Sequence, residues 1–147
     1  QDTVIYLTNI IIGAILACLM TYQWWRQGRA VNMRGWMVAS WVMTAADIFF
    51  ALRPDLPSWV GRTVPTLLVT GGHAVLFLGA QRTAELKLSY GWMVALVVQH
   101  ACGLTAFIVA GQPSNWRMVM NGLIWAGLSL GSYWALRKAR PKFEASV

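Results

Sequence analysis

Acidic residues are nearly absent from this chain: Asp and Glu together number 5 in 147 residues, and all charged residues make up 12%. A water-soluble domain usually carries about 25%. With 57% hydrophobic residues, there is too little charge to solvate a globular surface, so lipid is the expected solvent. Cysteine is also scarce. Cys18 and Cys102 lie inside apolar runs, without metal-ligand or disulfide-framework spacing, and are expected to be inert thiols. There is no HExxH, no CxxC, no Gly-rich phosphate loop and no triad-like Ser, His and Asp spacing. No catalytic chemistry is therefore expected of this chain. A basic chain of net charge +7 can bind nucleic acid, but here the basic residues fall in short clusters between apolar runs. That pattern excludes a nucleic-acid surface and reads as membrane topology. The chain opens on Gln1 with no charged segment followed by a small-residue cleavage site, so processing or truncation upstream is expected.

What the sequence does contain is five apolar runs, each close to the roughly 20 helical residues that cross a hydrocarbon core. They are Thr3 to Trp25, Met33 to Leu52, Arg62 to Ala80, Tyr90 to Gly111 and Arg117 to Leu136. Pro54 and Pro57 close the second, and Gly111 and Pro113 close the fourth. Short loops make neighbours antiparallel. Arg26, Arg29, Arg34, Arg82, Lys87, Arg137, Lys138, Arg140 and Lys142 fall on one side, against Arg53, Arg62 and Arg117 on the other. This positive-inside bias predicts an all-α integral membrane protein. It is an antiparallel bundle of five transmembrane helices in a bacterial inner (cytoplasmic) membrane, amino terminus outside, carboxyl terminus cytoplasmic. Residues 1–136 form the membrane domain, and residues 137–147 a basic tail or a junction to an output domain. Trp24, Trp25, Trp36, Trp92 and Trp134 mark the inner boundary and Trp59 and Trp116 the outer, while Trp41 and Trp125 sit deeper, facing other helices. Gly127 and Gly131 in the fifth helix, and Gly13 and Ala17 in the first, form small-residue packing faces, either within one bundle or between two copies.

Ionisable groups inside a span cost about 3 kcal/mol on insertion scales and are functional candidates. Here they are Asp47, His73 and His100. Ser40, Thr44 and Asp47 form one polar stripe, and Thr66, Thr70 and His73 repeat its spacing on the next helix. Neighbouring helices thus offer facing polar edges. The two histidines lie at equal depth, eleven residues in from Arg62 and from Gly111 respectively. Asn9 and Asn121 add amides to the outer half, whereas the inner half is apolar apart from Ser129 and Ser132. Three readings of this cluster compete. The polar groups act as interhelical glue; or they form an outward-facing pocket for a small ligand or divalent metal ion, with Asp47 and His73 in contact; or His73 and His100 hold haem b as axial ligands.

The segment ALRPDLPSWVGRTVPTLLVTGGHAVLFLGAQR resembles the amino-terminal membrane region of bacterial GGDEF-type diguanylate cyclases. The resemblance rests on Leu52, Arg53, Leu56, Pro57 and Trp59 in the turn, then Gly72, Gly79 and Arg82. It extends to the WWRQGR junction and the RKARPK exit. Pro65 and Thr66 stand where that family often has Asn, and no GGDEF sequence is present. The resemblance implies an input domain for cyclic di-GMP signalling, working as a homodimer and continuing past Val147 into a cytoplasmic signalling domain. The expected function is a membrane sensor. It would detect a small ligand, metal ion or redox signal in its outer half and pass it through helix five to a cytoplasmic partner. The alternative is a haem-binding electron-transfer subunit, or a structural accessory subunit of a membrane complex.

Overall fold

A computed structural model describes the backbone of residues 2–144 and the side chains of residues 4–138. It is all-helical: α1 (Asp2–Arg26), α2 (Val31–Ala51), a 3-10 turn (Arg53–Asp55), α3 (Ser58–Thr83), α4 (Tyr90–Val109) and α5 (Ser114–Glu144). The helix ends follow the turn chemistry. Gly28 (φ 65°) and Gly111 (φ 63°) each take the left-handed conformation one residue past a helix cap. Their amides and those of the residues that follow return to the last helical turn: Arg29 N–H donates to Trp24 O at 2.9 Å, and Gln112 N–H to Phe107 O at 3.0 Å. Glu85 (φ 55°) does the same after α3 without a glycine's freedom. Pro57, just ahead of α3, has an extended backbone and needs no N–H.

Among the described residues, α1, α3 and α4 are long and apolar enough to cross a membrane. Five such spans are expected from the sequence. The other two helices exist, but their apolar stretches are more interrupted, by Asn32, Arg34 and Asp47 in α2 and by Asn115, Arg117 and Asn121 in α5. The expected boundary at Leu136 is not a helix end, since α5 runs on to Glu144.

Helix α3 is central. It packs against α2 on one side and α4 and α5 on the other, while α1 packs chiefly on α2. What lies inside is small: Ala17, Ala39, Ala46, Ala74, Ala80 and Ala135 are buried, whereas Ile5, Ile11, Val94, Leu123 and Leu130 are exposed. Small residues inside and large aliphatic ones outside reverse the usual arrangement in water and match helices packed within lipid. Among the glycines, the closest approach to another helix's backbone joins α2 to α3, where a Cβ placed on Gly35 would lie 2.9 Å from Gly79 Cα. Gly13 and Ala17 pack α1 on α2, with a Cβ on Gly13 meeting Thr44 Oγ1 at 2.9 Å. In α5 only half of the expected face is used. Gly131 receives Phe77, with 2.8 Å from a built Cβ to the ring, but Gly127 faces open space.

Gly35→Ala is predicted to lower stability by about 1–3 kcal/mol, because the methyl meets backbone rather than a flexible side chain. Gly127→Ala should leave stability within about 0.5 kcal/mol. Thermal unfolding of both variants in one detergent checks the pair; equal midpoints would contradict this helix contact.

Candidate functional site

The largest fully buried side chains among the described residues are Leu104, His100, Thr70 and Pro65, so polar groups share the tightest part of the interior, with His100 and Thr70 at 1% and 0% exposure. Such groups persist away from water only when hydrogen-bonded. Thr70 on α3 is the hub. The Trp125 indole N–H on α5 donates to Thr70 Oγ1 at 2.9 Å, and Thr70 Oγ1 lies 2.8 Å from His100 Nδ1 on α4. His100 Nε2 in turn lies 2.9 Å from Asn121 Oδ1 on α5. An amide oxygen only accepts, so Nε2 carries the hydrogen, and in the neutral ring Nδ1 accepts the Thr70 hydroxyl hydrogen. Three helices are thereby tied through one hydroxyl. Helix α3 supplies Thr70 a backup acceptor, the Thr66 carbonyl at 3.0 Å.

His73 sits beside this network without joining it. Its ring stacks on Trp125, 6.1 Å between centroids and 8° between planes, and its Nδ1–H donates to Val69 O at 2.8 Å. Both nitrogens of His100 are occupied, so axial ligation by His100 requires breaking its bond to Thr70 or to Asn121. The pair does not fit bis-histidine haem ligation in this arrangement. The two rings sit on contacting helices, α3 and α4, but the second ring has no free lone pair.

The two polar stripes do not face each other as the sequence spacing suggests. Thr44 and Asp47 turn toward α1, where with Asn9 and Ser40 they line a groove of about 290 Å³. Thr70 and His73 turn toward α4 and α5. Asp47 and His73 therefore share no ligand position, and among the described residues no group of three His, Cys, Asp or Glu gathers to hold a metal ion. Asp47 makes no hydrogen bond within that groove.

A larger cavity, about 350 Å³, lies at the end of the bundle carrying the 52–57 and 110–113 turns. Arg53, Arg62 and Arg117 line it, with Phe50, Leu104, Ile108 and Met118 as apolar wall. Thr66, Asn121 and Trp125 also line it, so the network around Thr70 forms its floor. Gly61 lines it and packs against Arg53, 3.2 Å from a built Cβ to the Arg53 carbonyl. Pro65, buried inside α3, has no N–H for the Gly61 carbonyl. The arginines escape a reading of spans because they count there only as the minority of the topology bias. Their one signal is that all three cations of that side flank turns that a folded bundle brings together.

Thr70→Val removes the shared hydroxyl and leaves Trp125, His100 and Thr66 with one partner fewer. It is predicted to cost about 1–2 kcal/mol, more than Ser40→Ala, whose hydroxyl bonds only its own helix. A double-mutant cycle of His100→Ala with Asn121→Ala, read by thermal unfolding, should give a coupling of about 0.6 kcal/mol or more; additivity would refute the bond.

No family model matches the chain, and neither a curated protein nor a solved structure does, so the resemblance to cyclase input regions stands on its own residues.

Proposed function

We propose that the chain is a sensory input domain of a bacterial inner membrane, with five spans, its amino terminus outside and its carboxyl terminus cytoplasmic. A small ligand enters the cavity lined by Thr66, Asn121 and Trp125, which hydrogen-bond to buried Thr70 and His100, and the change passes along α5. One observation carries this reading. Helix α5 supplies Arg117, Asn121 and Trp125 to the cavity and continues unbroken to Glu144. Any ligand that shifts the cavity wall therefore moves the same rigid element that leaves the membrane. The nine-to-three distribution of basic residues supports the orientation, and the exposed apolar faces of α1 and α4 support burial in lipid.

Transmission requires two packings of α5 against α3 with different ligand affinity. Phe77 against Gly131 and Trp125 against Thr70 are the contacts that would exchange. The partner is a cytoplasmic signalling domain, and by the resemblance a cyclic di-GMP output working as a dimer; the chain itself performs no reaction in this scheme.

Two measurements test the proposal. Single cysteines at Ser58 and Ser114 in a Cys18→Ala, Cys102→Ala background should react with an impermeant maleimide on intact spheroplasts, whereas Lys138→Cys should react only after lysis. With a cyclase reporter joined after Val147, Trp125→Phe and Asn121→Ala should each change the output by about fivefold or more, the lower end of ordinary coupling. Unchanged output in both would remove the sensory reading.

A further inference from the structure

Resting on that reading of the cavity, we infer that its ligand is a small anionic amphiphile: a phosphate monoester or carboxylate head on a short apolar body. Arg53, Arg62 and Arg117 are gathered around about 350 Å³, and among the described residues no Asp or Glu lines it. None of the three makes an ion pair or hydrogen bond with another described side chain. Asp55 belongs to the same turn as Arg53 but does not line the cavity.

The arrangement favours an anion, most of all at half-buried Arg117, since solvent screens the exposed Arg53 and Arg62. Three like charges around one cavity repel. Arg117 also stands in the first turn of α5, where the helix dipole is positive, and that turn has no acidic residue to offset it. A single anionic group relieves both effects. Guanidinium groups present a planar fork that matches the paired oxygens of a carboxylate or phosphate, and hydrogen bonds to charged groups are the stronger kind.

The remaining lining sets the rest of the ligand. Phe50, Leu104, Ile108 and Met118 form the apolar wall, so an inorganic ion alone leaves most of the space unfilled. The volume falls at the lower end of ordinary small-molecule pockets, about 300–1,000 Å³, which fits a short chain or a lipid headgroup with its first carbons. Trp59 and Trp116, both exposed, flank the same turns at the level where indoles meet lipid headgroups. The same chemistry is thus available from an anionic lipid of the outer leaflet and from a soluble amphiphile.

The test uses the full chain in phosphatidylcholine nanodiscs with hexyl phosphate as probe, followed by titration calorimetry. Hexyl phosphate should bind saturably, at least about tenfold tighter than either hexanol or inorganic phosphate, and should weaken as salt rises. Arg62→Gln with Arg117→Gln should lose about tenfold or more, while Arg82→Gln with Arg137→Gln, at the other end, should not. The comparison among the three probes on the unaltered protein needs no variant to fold. Added phosphatidylglycerol that competes with the probe identifies the lipid source; unchanged binding identifies a soluble one. Hexanol binding as tightly as hexyl phosphate, or no binding of hexyl phosphate at all, would overturn the inference. Ligand class would then fall while the reporter response to Trp125→Phe could still stand, so the two failures are distinguishable.

Discussion

One hydroxyl group holds the interior of this molecule together. Thr70 accepts from the Trp125 indole and bonds the His100 imidazole, so α3, α4 and α5 meet at one oxygen. In an apolar surrounding, the driving force that packs large aliphatic side chains in water is missing, because lipid is as apolar as leucine. Directional bonds and close backbone contact take its place. Removing the hub takes a partner from the Trp125 indole N–H and from the buried His100 imidazole, which is why this point constrains the helices around it.

The rest of the packing follows the same physics. Helix α3 touches its neighbours through Gly72, Ala74, Gly79 and Ala80, and α2 answers with Gly35 and Ala39. Trp41 extends the pattern outward, its indole N–H donating to Thr21 Oγ1 on α1 at 2.9 Å. Both deep tryptophans therefore bond across helices rather than at a boundary. The price of close approach is low tolerance: where glycine faces glycine backbone, no side chain can yield.

The cavity and the network are one construction. Thr66, Asn121 and Trp125 belong to both, so the buried hydrogen bonds adjoin the cavity that Arg53, Arg62 and Arg117 line. In the proposed scheme this coupling makes a ligand at the rim felt in the packing of α5. Aromatic stacking of His73 on Trp125 adds a second contact to the same element.

Much of the architecture was legible in the residues. Apolar runs and turn signals at Pro54, Pro57, Gly111 and Pro113 mark five helices, within four residues of their observed ends except at the end of α5, which runs eight residues past Leu136, because hydrogen-bonded backbone in an apolar chain has few alternatives to helix. Periodicity also shows which residues share a face, as with Thr66, Thr70 and His73. It cannot show what that face meets. Asp47 and His73 look like neighbours from their spacing, yet rotation of α2 turns one stripe to α1, and rotation of α3 turns the other to α4 and α5. Equal depth brings His73 and His100 near each other in a span diagram, but only the folded helices show both nitrogens of His100 taken by Thr70 and Asn121. By itself the sequence determined the helices, their order and their small-residue faces, all of which depend on local spacing. The convergence of Arg53, Arg62 and Arg117 on one cavity, from separate turns, was decided by tertiary structure alone, because helix rotation and crossing are set by packing between segments and leave no periodic trace within any one of them.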